Sequence, residues 1–282
     1  MMEQYIFSNN ILLVSNKERH HNAGIGWFVH ERTLPQDIAP QYRNNKQLDS
    51  NELKRSGQLS MSAILKQYNL AYISAPKCAC TSIKELIFKV ENNCNFNKIR
   101  DEKNAICFVI NGERRYIHSF YPTISFDKQP HQLLQQMECF CVVRNPVERL
   151  ISCHRNRVLR YGALRAEELE KLNIDAQPDP DLNQFISELD RYMKVYQIWH
   201  HAQPLINFLG HKADYYDAIF NFNTLQHLEQ YLQLKFNRKV RLPHLQNSKE
   251  DSRSKGQTLS SKSIEKIHTT YAEDISCFGQ YF

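Results

Sequence analysis

The chain has 282 residues, 41% of them apolar, which is enough for one substantial core or at most two small ones. A surplus of 36 basic over 30 acidic residues gives a net charge of +6, which suggests an anionic partner but is far from the one-sided composition of a nucleic-acid-binding chain. No apolar run of about 20 residues could span a bilayer, the start Met1-Met2-Glu3-Gln4-Tyr5 lacks the layout of a signal peptide, and no Asn-x-Ser/Thr sequon occurs, so a cytoplasmic protein with one domain over 1–282 is expected.

Near the start, Ile11-Leu12-Leu13-Val14 predicts a strand at a sheet edge. Gly24 and Gly26 are followed by Val29 where a third glycine would complete a dinucleotide fingerprint, so they read as a turn. Residues 20–60 read as a variable surface excursion, polar and charged from Gln41 to Ser60. Leu70 to Ser74 then predicts a buried strand, followed by a tight loop and a helix to about Glu91 whose apolar face is Ile83, Leu86, Ile87 and Val90. Thr81 or Ser82 falls at the N-terminus of that helix, where free backbone N–H groups await an acceptor. Hydroxyls, a lysine (Lys77) and a helix start together suit an anion. The loop has no Gly-x-x-x-x-Gly-Lys-Ser/Thr pattern, so an ordinary nucleoside-triphosphate cradle with bound magnesium is not indicated.

Ala105 to Ile110 predicts a second buried strand with Asn111-Gly112 as its turn, and Arg115 to Phe120 a further short strand. A helix around Pro130–Met137 leads to a third apolar strand, Cys139-Phe140-Cys141-Val142-Val143. Beyond it, Asn145 is a good N-cap, Pro146 suits the first helical position and Glu148 completes a capping-box pattern. Arg144 is thereby delivered to the C-terminal edge of a sheet, where open α/β folds bind their ligands. Ser152 follows two turns on, and Arg149, Arg155, Arg157, Arg160 and Arg165 read as a nearby basic surface. One helix is expected from the Pro178–Asp181 turn to about Trp199, a short strand over 217–220, a helix after Thr224, a polar loop from 243 to 260 and a closing helix from about Ser261.

The eight cysteines sit mostly inside apolar runs and are expected to be reduced thiols. Cys78-x-Cys80 and Cys139-x-Cys141 have the wrong spacing for a four-cysteine zinc site, so no metal is expected.

Taken together, Pro76-Lys77-Cys78-Ala79-Cys80-Thr81-Ser82 resembles the 5′-phosphosulfate loop of carbohydrate sulfotransferases, especially the branch of the chondroitin and HNK-1 enzymes. Arg144-x-Pro146-x-x-Arg149-Leu150-x-Ser152 is similar to the 3′-phosphate motif of the same family, and Pro243-His244-Leu245-Gln246-Asn247-Ser248 and Tyr271-x-x-Asp274-x-x-x-Phe278-Gly279-x-Tyr281 look like its closing elements. The resemblance implies a P-loop-NTPase-like sulfotransferase fold, with a central parallel sheet flanked by helices. It also implies the donor 3′-phosphoadenosine 5′-phosphosulfate, no metal, and a hydroxyl of a saccharide, glycolipid or polysaccharide as acceptor.

By that match Lys77 would stabilise the leaving phosphate, the loop from Pro76 through Cys78, Ala79, Cys80 and Thr81 to Ser82 would hold the 5′-phosphate, and Arg144 and Ser152 would take the 3′-phosphate. Tyr116-Ile117-His118-Ser119-Phe120 resembles the base-bearing segment of the heparan and uronyl 2-O-sulfotransferases, which makes His118 the candidate base, with Glu91 and then His154 as alternatives. The competing readings are an inactive sulfotransferase-like binding domain and a small-molecule kinase.

Overall fold

The computed structural model describes residues 2–8, 11–17, 29–30, 62–93, 99–100, 106–110, 113–243 and 258–282. Most of the expected 20–60 excursion, the Gly24–Gly26 turn, the Asn111-Gly112 turn and the loop after Pro243 lie outside the described residues.

Strands β1 (Met2–Ser8), β2 (Ile11–Lys17) and β3 (Val29–His30) pair antiparallel in a sheet of their own, so the Ile11–Val14 run lies in a separate sheet rather than at the edge of the central one. The central sheet has β4 (Ala63–Leu65) and β5 (Leu70–Ile73) followed, after helix α1 (Cys80–Asn92), by members from further along the chain. Strands β6 (Ile99–Arg100), β7 (Ile106–Ile110) and β8 (Glu113–Arg115) form a third, antiparallel sheet, so the apolar 105–110 run does not join the central one.

The segment expected as a strand over Arg115–Phe120 instead ends β8 at Arg115 and forms one helical turn, α2 (Ile117–Phe120). Its apolar residues Ile117, Phe120 and Tyr121 follow i, i+3, i+4 spacing and pack on Phe88 of α1, with the Phe88 and Phe120 rings edge to face at 5.3 Å. Helix α3 (His131–Leu134) precedes β9 (Glu138–Val143), whose residues 139–143 are all buried. Each large apolar side chain there contributes about 1.5–3 kcal/mol by leaving water.

Helix α4 (Pro146–Cys153) starts at Asn145, whose side chain accepts the Val147 N–H at 2.9 Å. The other half of the capping box is not made, because Glu148 turns to Arg144 and to Asn223. The helix continues as wider π turns over His154–Arg160, and α5 (Ala166–Lys171) follows. The single helix expected over 182–199 is three: α6 (Leu182–Ser187), α7 (Leu189–Tyr192) and α8 (Tyr196–Ala202). The breaks let Phe185, Leu189, Tyr192, Val195 and Ile198 all face one core, which a straight helix could not do. Next come α9 (Ile206–Leu209), β10 (Ala218–Asn221), α10 (Leu225–Phe236), α11 (Ser261–Thr270) and α12 (Ala272–Phe278).

The order across the central sheet is β10-β9-β5-β4, with β5, β9 and β10 parallel and β4 antiparallel at the edge. Ile73 lies opposite Cys141 and Asn221 opposite Val143, so the three parallel strands end at one edge. The sheet, α1, α9 and α10 share one core, and α4, the π turns, α6, α7, α8 and α11 share a second. The last segment joins both, with Ile267 and Tyr271 in the second core and Phe278 in the first.

Candidate active site

At the C-terminal edge of β5 the chain makes a tight loop in which Lys77 (φ +66°) and Ala79 (φ +58°) are left-handed. Non-glycine residues adopt this conformation at a cost of about 1–3 kcal/mol, an expense common in ligand-binding loops. Ala79 is the N-cap of α1, no side chain caps the helix, and Ile83 N–H donates to the Ala79 carbonyl at 3.1 Å. Cys80, Thr81 and Ser82 therefore form the first turn, whose N–H groups have no acceptor within the helix.

Two arginines on the neighbouring strand-to-helix connection fix this loop. Arg144, directly after β9, donates from Nη1 to the Lys77 carbonyl at 3.3 Å, lies 3.9 Å over the Phe222 ring and reaches Glu148 at 3.5 Å. Arg149 is fully buried and so does not belong to the basic surface expected for it. It donates to the carbonyls of Pro76 (3.2 Å), His201 (3.4 Å) and Gln203 (2.5 Å), and its Nη1 stands 3.9 Å from the Asp274 carboxylate. Asp274 in turn accepts the N–H groups of Leu205 (2.8 Å) and Ile206 (3.0 Å). The Tyr271 hydroxyl donates to the Ala202 carbonyl at 2.5 Å. The closing Tyr271–Asp274–Phe278 pattern thus ties the C-terminus to the back of the loop.

Lys77 is half-buried, and its ammonium is pushed down to about 8, first by burial, with Arg157 and Arg144 adding to the shift against the Cys153 and Cys80 sulfurs. Arg157, carried inward by the π turns, donates to His201 Nε2 at 2.7 Å, while its buried Nε has no partner among the described residues. Wide turns of this kind often accompany functional sites. His201 Nδ1 lies 2.7 Å from the Gln197 carbonyl and must donate to it, so Nε2 is the acceptor and the ring is neutral. Cys78 is buried and its thiol is raised to about 12, chiefly by desolvation, which removes it as a nucleophile at neutral pH.

Packing of α2 on α1 brings His118 over the loop helix. Its Nε2 lies 3.1 Å from Thr81 Oγ1 and its Nδ1 lies 3.3 Å from Lys84 Nζ. Lys84 is fully buried, donates to Thr123 Oγ1 at 2.6 Å and is pushed down to about 8 by desolvation, a shift slightly opposed by Cys80. Thr123 also bonds Ser74 Oγ at 3.0 Å. Desolvation first, then the charges of Lys84, His200 and Arg157, holds the His118 imidazole well below its usual range, although the residue keeps an exposed face.

The alternative bases are placed differently. Glu91 is exposed at the far end of α1 and accepts a hydrogen bond from the Tyr121 hydroxyl; burial raises its pKa against that bond. His154 is buried with Nε2 at 2.9 Å from the Pro180 carbonyl, holding the 178–181 turn. Ser152 is half-buried on α4, about 9 Å along the axis from Pro146 at 1.5 Å per residue.

The structure thus brings Lys77, Thr81, Arg144 and His118 to one edge of the sheet, and adds Lys84 and Arg157. Lys84 escaped the sequence reading because it lies beside the apolar stripe of α1 rather than on it. Arg157 did so because helical spacing gives no sign of π turns. The described residues hold no cluster suited to a metal ion and no helix long and apolar enough to cross a membrane.

This arrangement defines an α/β protein with a tight loop and an uncapped helix start, suited to an anion, at the end of a parallel strand. The Sulfotransferase family model matches residues 61–281, and the chain belongs to that family of sulfuryl-transferring enzymes. No curated protein matches the chain.

Proposed function

We propose that this sulfotransferase transfers the sulfuryl group of 3′-phosphoadenosine 5′-phosphosulfate to a hydroxyl of a saccharide, glycolipid or polysaccharide. The observation that carries the donor reading is the adjacency of two cationic strand ends: the Lys77 loop after β5 and Arg144 after β9, on neighbouring parallel strands. A donor with anionic groups at both ends calls for two such sites, and the uncapped first turn of α1 suits the 5′-phosphate. Arg144 would take the 3′-phosphate, a reading supported by its fork of donors, which suits a phosphate oxygen pair.

In-line sulfuryl transfer depends on positioning and on stabilising charge as it builds. Lys77 supplies that charge at the leaving oxygen. His118, exposed and beside Thr81, takes the proton of the attacking hydroxyl. A saccharide acceptor is supported by the exposed aromatic pair Tyr196 and Trp199 on α8, with ring centroids 5.7 Å apart. Sugar rings present flat C–H faces that lie well on such rings. Tyr196 also stacks at 5.9 Å on His200, one of the groups whose charge acts on His118, which links the platform to the site.

The test is calorimetric titration with 3′-phosphoadenosine 5′-phosphate in the absence of magnesium, followed by labelled-sulfate transfer to a panel of glycans and glycolipids. Tight metal-free binding is expected. Arg144→Ala should weaken it, Lys77→Ala should depress turnover far more than binding, and His118→Ala should abolish turnover while sparing binding. Magnesium-dependent ATP binding instead would overturn the proposal in favour of a kinase.

A further inference from the structure

Lys84 is a fully buried lysine whose hydrogen-bond partners are two neutral groups, the Thr123 hydroxyl and the His118 ring; among the described residues no carboxylate pairs with it. We propose that Lys84 is a positioning residue whose charge decides which nitrogen of His118 is open, so that His118 accepts the acceptor's proton only when Lys84 is uncharged. This rests on the reading of His118 as the base.

The geometry leaves few alternatives. An ammonium is a donor only, so a charged Lys84 at 3.3 Å makes Nδ1 the accepting nitrogen. The single proton of the neutral ring then sits on Nε2 and points to Thr81 Oγ1 at 3.1 Å. Neither nitrogen can take another proton in that state. An uncharged amine has a lone pair, accepts Nδ1–H, and leaves the Nε2 lone pair facing Thr81 and the open side. When the acceptor's O–H breaks, its proton goes to Nε2 and its oxygen bonds to sulfur, while the bond from sulfur to the bridging oxygen breaks with its electron pair on the leaving phosphate. The imidazolium then passes its Nδ1 proton to the Lys84 amine, which restores the charged arrangement.

Burial favours the uncharged amine, and Cys80 of α1 opposes it. The other groups facing the Lys84–His118 pair are Thr81 from α1, Thr123 from the 117–123 segment, His200 from α8 and Arg157 from the π turns. Burial depresses the lysine to about 8, within reach of physiological pH.

The experiment is a pH–rate profile with the full chain and its variants, paired with nitrogen-15 spectra of histidine-labelled protein. With the donor saturating, so that the bound anion holds Lys77 charged, kcat/KM for the acceptor should rise about tenfold or more between pH 6.5 and 9 in the unaltered protein, and the His118 ring should pass from Nε2–H to Nδ1–H over the same range. Lys84→Met should remove both changes. Lys84→Arg, charged at every pH, should hold the Nε2–H tautomer and stay inactive throughout. A Lys84→Met protein that keeps both the steep rise and the tautomer change overturns the inference, and the spectra decide it even if the arginine variant does not fold. Full turnover in His118→Gln would instead overturn the base reading beneath it.

Discussion

Lys77 lies in the loop and Lys84 in the second turn of the helix that follows it, and both are ammonium groups depressed to about 8 by burial. An anion bound in the loop favours their charged forms, so binding should take up protons at pH 8 and weaken as the pH rises from 7 to 9. Titration of 3′-phosphoadenosine 5′-phosphate in buffers of different ionisation heat measures this uptake. Lys77→Arg should flatten part of the dependence, because a guanidinium stays charged across the range. A pH-independent affinity would show that the bound anion's charge reaches neither lysine. The roles proposed for the two residues make opposing demands: binding would favour charge on Lys77, whereas proton abstraction would favour its absence on Lys84.

At the scale of elements, Arg149 joins the loop after β5 to the chain between α8 and α9, and through Asp274 to α12. Asp274 is buried and its carboxyl is raised by desolvation, which Arg149 and the two N–H donors oppose. Removing one member of such a pair leaves an uncompensated buried charge or unmet carbonyls, at about 3–5 kcal/mol. Arg149→Ala should therefore lower the thermal midpoint by about 10 °C. Arg144→Ala removes a half-buried side chain whose partners can turn to water and should leave that midpoint nearly unchanged. Scanning calorimetry of the two variants separates the arginine that supports the fold behind the loop from the one proposed to take the 3′-phosphate.

At the scale of the whole molecule, four of the described histidines are held in surroundings that disfavour their charged form. His154 donates to Pro180, His201 is held neutral between Gln197 and Arg157, and both are lowered mainly by desolvation, as are His118 and His200. Below about pH 6.5 the unfolded chain binds protons at these rings that the folded chain does not, so stability must fall as the pH drops. Asp217 and Asp274, raised in the fold, act in the opposite sense through a window above the usual carboxylate range. Four depressed histidines should dominate between pH 7 and 5, lowering the urea midpoint across that interval. His201→Gln should reduce the slope; an unchanged slope would show that this histidine is charged in the folded protein.

Sequence by itself determined the strand-loop-helix units around Lys77 and Arg144, because their cues are local: an apolar run long enough for a buried strand, then a cap, a proline and apolar residues at helical spacing. The family resemblance rested on the same two stretches and on the closing Tyr271–Tyr281 pattern, and the parallel sheet was what that resemblance implied. What lay beyond it were contacts set by residues far apart in the chain. Arg149 and Arg157 look like any surface arginine in a polar helix until α8, α12 and the π turns close around them. Arg115–Phe120 read as a strand because its i, i+3, i+4 spacing is short and acquires its meaning from Phe88. Lys84 was invisible for the same reason: a lysine beside an apolar stripe is ordinarily solvated, and only the return of the 117–123 segment over α1 buries it against His118. Burial and hydrogen-bond partners are properties of the folded packing, so the candidate anion loop could be read from the chain, while the buried charges packed around it were decided by the tertiary structure.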